Sequence, residues 1–450
     1  MMKTHKFTRR QAIAVSGAGA IATMTYWPNK AFSILKNTDG KLAVNGGSPV
    51  RNKAWPGWPV WDNEANQSII DMLNSGQWWR GGGGHIPEFE QQYAELMGMK
   101  RCLATASGTT ALLISLHVLG VDAGDEVLVS PYTFIASYNV ILLSKALPVF
   151  IDSDPETFLI NPDKIEERIT ERTSAILPVH IYGLPVEMDP VNAIAKKHKL
   201  KVVEDACQAW MAEYKNKKVG TLGDLGCFSF QNSKHIPTGE GGAIVGNDDE
   251  IMDKCHSFHN CGRPFGTSRG ETPYHTRGSN RRMQQFQALM LLSQIKRIKK
   301  DSDKRFENAL YLSSKLKDIP GIVPYKFVPG GNRGAYYMYP FRYQKEAFND
   351  IPKEKFIKAL NAEGIRCSAG YGPQNTYGLI EEALNSKGYK RLFSESRLKR
   401  YREENILPGN DQLCKEAVGL PQNLLLGDTK DMDDIINAIS KIYEHRDEMS

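Results

Sequence analysis

The stretch AILPVHIYGLPVEMDPVNAIAKKHKLKVVE, residues 175–204, decides the fold class. Ala175–His180 and Val202–Glu204 read as short apolar strands, and Pro190–His198 reads as the helix that joins them. Strand, helix, strand in this rhythm predicts a mostly parallel sheet covered on both faces. The pattern extends upstream. Leu103–Thr105, Glu126–Ser130 and Val149–Ile151 read as strands, with helices over Thr109–Val118 and Phe134–Leu143. Downstream of Gly226 it changes: Cys227–Phe230 and Ala243–Gly246 are two strands joined by the loop SKHIPTGEGG, and a long helical stretch runs from Met283 to Leu316. The last section alternates again, with strands at Tyr336–Tyr343 and Ile365–Ser368 and helices at Lys353–Glu363 and Asp431–Tyr443. The expected fold is α/β, with a large domain over residues 34–315 and a smaller α+β domain over 316–450.

Length and composition agree with this reading. A chain of 450 residues suggests two to four units at roughly 100–200 residues per domain. A hydrophobic share of 41% and a charged share of 24% are those of a globular protein, which excludes general disorder and a multi-span membrane protein. The 57 basic and 51 acidic residues give a net charge of +6, interleaved along the chain, so nothing calls for nucleic acid. The seven cysteines are dispersed, with no CxxC and no Cys/His set at zinc spacing. They read as thiols of a protein that folds in a reducing compartment, and no metal is expected.

Residues 1–33 conflict with that compartment. KTHKFTRR at 3–10 is a basic head, and Ala12–Trp27 is an uncharged run of apolar and small residues, too short for a secure membrane span. Arg9-Arg10 before Gln11-Ala12-Ile13 resembles a twin-arginine signal, so export to the periplasm is expected, with cytoplasmic residence as the alternative. Lys3, Lys6, Arg9, Arg10 and Lys30 supply five of the six net charges. Gly17–Ala22 also fits GxGxxA, but no βαβ unit surrounds it, so a dinucleotide loop is set aside.

Four segments stand at strand ends, where sheets of this kind bind ligands. Ala106-Ser107-Gly108-Thr109-Thr110 opens a helix and offers free N–H groups to a phosphate; by itself it is equally a helix cap. Asp205, at the end of an apolar strand, is placed to hold a protonated heterocyclic nitrogen or to cap a helix. Lys234 lies in a glycine-rich loop 29 residues later, with Ser229 on the strand leading in. Most lysines are solvated, whereas one that forms an imine must be partly desolvated. Ser130-Pro131-Tyr132-Thr133-Phe134 carries aromatic rings that either stack on a flat ligand or fill the core. A phosphate seat, an acid, a lysine and an aromatic platform together meet the needs of pyridoxal 5′-phosphate: anchor the phosphate, protonate the ring, hold the aldehyde.

On these residues the chain resembles the DegT/DnrJ/EryC1/StrS sugar aminotransferases, of the fold-type I aspartate aminotransferase architecture. The markers are ASGTTAL at 106–112, SPYTFIAS at 130–137, LPVHIYG at 177–183, EDACQA at 204–209, FSFQNSKHIPTGEGGAI at 228–244 and GSNRRMQQFQA at 278–288. The resemblance implies that Lys234 forms the imine with the cofactor and that Asp205 binds the pyridine nitrogen. It also implies that Gln208 lies on the phenolic side, that Phe134 stacks on the ring, and that Thr109, Thr110 and Ser229 hold the phosphate. Asn280 would reach the phosphate in the partner subunit, which implies a homodimer with composite sites. Sugar dehydratases of this family carry histidine in place of the lysine; Lys234 therefore favours transamination, although His235 is adjacent. AVNGGSPVR at 43–51, WPGWP at 55–59 and SGQWWR at 75–80 are similar to the branch that aminates keto-cyclitols such as scyllo-inosose with glutamine. Gly81–Gly84 is expected as a loop at the site mouth. His180 and Tyr182 either line the substrate side or pack in the core. The other functions open to this sequence are a non-catalytic binder on the same fold and a sugar dehydratase.

Overall fold

Strands β1 (Arg101–Thr105), β2 (Glu126–Val129), β3 (Leu147–Phe150), β4 (Thr173–Leu177), β5 (Lys201–Asp205), β6 (Leu225–Ser229) and β7 (Gly242–Gly246) form one seven-stranded sheet. The order is β1-β7-β6-β5-β4-β2-β3. The pairs from β6 to β3 are parallel, and β7 runs antiparallel between β1 and β6. The computed structural model describes residues 40–82, 84–268, 274 and 276–449. The expected signal segment, with its GxGxxA run, and Gly83 of the glycine loop lie outside the described residues.

β2, β3, β6 and β7 are buried along their whole length, which is why they are apolar apart from Glu126 at the start of β2 and Ser229 at the end of β6. The helix Gly108–Val118 buries seven residues, among them Ala111, Leu112, Ile114 and Leu116, against the sheet. The helix Gln285–Leu316 spans 32 residues and starts at a capping box of Gln284 and Gln287. Beyond it, β8 (Ile322–Pro324), β9 (Met338–Tyr343), β10 (Ser368–Ala369) and β11 (Ala417–Pro421) form a second sheet in the order β8-β9-β11-β10.

Several strand boundaries differ from expectation, and at three of them the backbone supplies the reason. β4 stops at Leu177 because Pro178 has no N–H for a ladder, although Val179 still bridges Asp205. β9 begins at Met338 because Tyr336 sits in the left-handed region at φ 58°. The strand expected at Ile365–Ser368 is instead Ser368–Ala369. Ile365 belongs to the preceding helix end: Gly364 takes φ +89° and Ile365 N–H donates to Leu360 O at 3.1 Å.

The GGSPVR stretch, read above as a hint of substrate branch, fastens the fold. Arg51 is buried, donates to Asp431 at 2.7 Å and Asp434 at 2.6 Å, and lies 3.7 Å from the centre of the Trp55 ring. These contacts clamp the chain to the C-terminal helix Thr429–Glu444. Arg80–Gly82 of the glycine loop forms a short 3₁₀ turn ahead of the helix His85–Met97.

Candidate active site

The carboxyl ends of β1, β5 and β6 converge. After β1, Ser107 caps the helix Gly108–Val118, its Oγ accepting from Thr110 N at 3.1 Å and lying 2.9 Å from Thr110 Oγ1. First-turn N–H groups have no partner inside a helix, so those of Gly108 and Thr109 face outward at the positive end of the dipole. A Cβ on Gly108 would stand 2.6 Å from Ser229 Cβ, and one on Gly242 only 2.4 Å from the Ser107 carbonyl. Glycine at both places is what lets Ser229 approach the helix start. Thr109 is exposed, Thr110 and Ser229 are buried, and Ser229 Oγ accepts from Gln231 N at 3.3 Å.

At the end of β5, Asp205 is 5% exposed. Its Oδ2 accepts from Ser137 Oγ at 2.7 Å and its Oδ1 from Cys207 N at 3.1 Å. Because the Ser137 proton goes to Asp205, the Thr133 hydroxyl, 2.8 Å away, donates to Ser137. Gln208 is fixed at both ends. Its Oε1 accepts from Tyr182 N at 2.8 Å and its Nε2 donates to Tyr371 OH at 2.9 Å. Tyr182 stands at φ 58°, and its ring stacks on Tyr371 at 5.5 Å and 16°.

Lys234 follows β6. Its backbone N–H donates to Gln231 O at 2.8 Å, and its carbonyl accepts from Trp58 Nε1 at 3.1 Å. Its side chain is half-buried, with Nζ 3.9 Å from the centre of the Tyr337 ring. Tyr371 thus stands beside Gln208, and Tyr337 beside Lys234.

Phe134 is 54% exposed on the turn before the helix Ala136–Leu143. Asn280 is exposed, on a segment that bridges Asn260 and joins the end of β1 through Arg281 and Arg282, and its Oδ1 accepts from Arg282 N at 3.5 Å. Of the two residues left open on the substrate side, His180 belongs to the core. It is fully buried, accepts from Val186 N at Nδ1, and donates from Nε2 to Glu204 at 3.0 Å. His235 does not face the site either. Its Nε2 donates to Ala335 O at 2.9 Å, and burial, with the nearby Arg305 charge, pushes its pKa well below that of free histidine.

Sequence reasoning missed Ser137, Thr133, Tyr337 and Tyr371. The first two lie inside SPYTFIAS and could have been tied to Asp205 only through the fold. The two tyrosines come from the C-terminal section and carry no local signal.

The arrangement fits pyridoxal phosphate. The glycine-lined helix start suits a phosphate, a buried carboxylate held by two donors suits a pyridinium nitrogen, and a partly desolvated lysine suits the aldehyde. The protein is a pyridoxal-phosphate enzyme of fold type I. The DegT/DnrJ/EryC1/StrS aminotransferase family model matches residues 59–439, and the chain belongs to that family. It is 33% identical over 422 residues to an L-glutamine:2-deoxy-scyllo-inosose aminotransferase of Micromonospora echinospora, covering 91% of this chain and 99% of that one. It is 32% identical over 428 residues to an L-glutamine:scyllo-inosose aminotransferase of Streptomyces griseus, covering 92% and 100%. Among solved structures it is similar to 3-amino-5-hydroxybenzoic acid synthase, with a TM-score of 0.75 and 30% identity, covering 86% of this chain and 98% of that one.

Proposed function

We propose that the protein transfers the α-amino group of glutamine to a keto-cyclitol related to scyllo-inosose. The observation that carries this reading is the full-length similarity to glutamine-dependent inosose aminotransferases, together with a lysine at position 234 on a site whose acid and amide are both anchored. Bound there, pyridoxal phosphate supplies an aldehyde that takes the donor's amine and a ring that accepts the electron pair of its Cα–H bond. The chain's own residues do the rest. Gly108 and Thr109 N–H, with Thr110 and Ser229, hold the phosphate. Asp205, kept as an acceptor by Ser137 and Cys207 N–H, keeps the ring nitrogen protonated. Gln208 would lie on the phenolic side, and Phe134 would cover the ring face. Lys234 Nζ would be the group that takes the proton from the donor's Cα and returns it on the cofactor side, and it would serve in reverse with the keto-cyclitol.

Two further features belong to this reading. Trp78, Trp79 and Phe286 are 56%, 55% and 41% exposed, close together because Gln285 N–H donates to Trp78 O and Trp79 bridges Gln284. An aromatic face of this kind suits a second copy of the chain, with Asn280 reaching that copy's phosphate. Residues 1–33 would direct export by the twin-arginine route. No described helix is long and apolar enough to cross a membrane. Fractionation of the full chain and of its Arg9→Lys/Arg10→Lys variant checks the export; equal cytoplasmic residence of both removes it.

A panel of ketones with glutamine as donor tests the function. The expected outcome is a kcat/KM for scyllo-inosose or its 2-deoxy form at least tenfold above that for nucleotide-linked keto-sugars. The reverse order would move the protein to another branch of the family.

A further inference from the structure

We infer that Tyr337 is a positioning residue for Lys234: its ring is the seat of the lysine's ammonium whenever Nζ carries the transferred proton. This rests on the proposed role of Lys234 as the proton carrier.

The geometry is specific. Nζ lies 3.9 Å from the centre of the Tyr337 ring, a distance at which a cation is attracted to the ring face. The ring is fastened in that place. Ser233 Oγ donates to Gln231 Oε1 at 2.6 Å, so at the 2.9 Å contact between Ser233 Oγ and Tyr337 OH it is the tyrosine that donates. The backbone beneath the lysine is fastened as well. Trp58 Nε1 holds the Lys234 carbonyl, Gln422 Nε2 holds the Ser233 carbonyl at 3.1 Å, and His235 holds the Ala335 carbonyl two residues before Tyr337. With the backbone and the ring both fixed, the four-carbon side chain is the moving part, and the ring marks one end of its travel.

That end has a use in the reaction. When Nζ removes the donor's Cα proton, the electron pair of the C–H bond is left for the cofactor ring to accept and the amine becomes an ammonium. Among the described residues the Lys234 ammonium has its contact with the Tyr337 ring face. The ring face steadies the charge without accepting the proton, and so leaves it free to be delivered at C4′.

The test has two arms, on Tyr337→Leu, which removes the ring, and Tyr337→Phe, which keeps the ring and loses the tether. In the first arm, protein freed of cofactor is acylated with acetic anhydride at pH 8, and the modification of Lys234 is followed by peptide mass spectrometry. Lys234 is expected to react about fivefold faster in Tyr337→Leu than in the parent, and within twofold of the parent in Tyr337→Phe. In the second arm, cofactor-loaded enzyme reacts once with glutamine deuterated at Cα. The isotope effect on the first half-reaction is expected to rise in Tyr337→Leu and to stay put in Tyr337→Phe. Equal acylation of all three proteins would overturn the inference, as would an isotope effect that does not move. If Lys234 is not the proton carrier, cofactor-loaded Lys234→Ala still removes the Cα deuteron of glutamine at the parent's rate while the acylation difference persists, which separates the two failures. Wild-type thermal midpoints and circular dichroism of each variant exclude misfolding as the cause.

Discussion

Replacing Lys234 by alanine is expected to lower turnover by about 10⁴-fold or more, the scale of losing a proton-transfer group together with the cofactor's covalent anchor. The visible absorbance band that glutamine shifts in the parent enzyme should be altered in the variant. Folding should be unaffected, because the Lys234 side chain is half-buried and its contact is with the Tyr337 face rather than with a buried ion. Phosphate binding should also persist, since the helix start and Ser229 do not depend on the lysine. Partial return of turnover on adding methylamine would show that only the amine is missing. An unchanged band and unchanged turnover in Lys234→Ala would remove the lysine from the chemistry.

The second large effect falls on stability. Glu204 precedes Asp205 on β5 and is fully buried. It accepts from Gly220 N at 2.7 Å, Leu222 N at 2.5 Å, Gly223 N at 2.6 Å and His180 Nε2 at 3.0 Å. Glu204→Ala leaves three backbone donors, two of them on half-buried residues, and a buried imidazole without an acceptor. A loss of about 3–5 kcal/mol is expected, the scale of breaking a buried charge network from one side. Glu204→Gln keeps an acceptor oxygen for part of the cluster and should lose less. Urea unfolding of both variants measures the difference. Because the loop held by Glu204 abuts the strand that ends in Asp205, cofactor affinity should fall with stability in Glu204→Ala. A Glu204→Ala protein as stable as the parent would show that the cluster holds nothing.

These two residues mark how much the sequence revealed. The alternation that placed β1 to β7 was legible because parallel strands buried on both faces have no choice but to be apolar. Asp205 and Lys234 stood out in the sequence only as a set, an acid closing an apolar strand and a lysine in a glycine-rich loop 29 residues on, beside a helix start that suits a phosphate. Glu204 was not. An acid beside an acid gives no sign of which one faces the site and which one ties a loop to the core, and that division came only with the fold. His180 illustrates the same limit, since a histidine after a strand reads alike as ligand or as core partner. Tyr337 and Tyr371 were hidden for another reason. They reach the site from a section of chain whose strands and helices are short, and no spacing links them to the lysine or to Gln208. The expected strand at Ile365–Ser368 failed where local chemistry overrode the pattern, as Gly364 ended a helix one residue before the apolar run began. The N-terminal GGSPVR stretch, read for the keto-cyclitol branch that the relatives share, also holds Arg51 against Asp431 and Asp434, a structural part the sequence did not show.

The central claim is that nitrogen moves from the α-carbon of glutamine to the carbonyl carbon of a keto-cyclitol through Lys234. The most direct measurement follows that nitrogen: glutamine labelled with ¹⁵N at the α-amino position is incubated with enzyme and scyllo-inosose, and the products are read by mass spectrometry. The account predicts an aminocyclitol carrying the label, formed in equal amount to the 2-oxo acid of glutamine, with no label released as ammonia. Labelled ammonia, a deoxygenated keto product, or firm cofactor binding with no transfer to any ketone would contradict it.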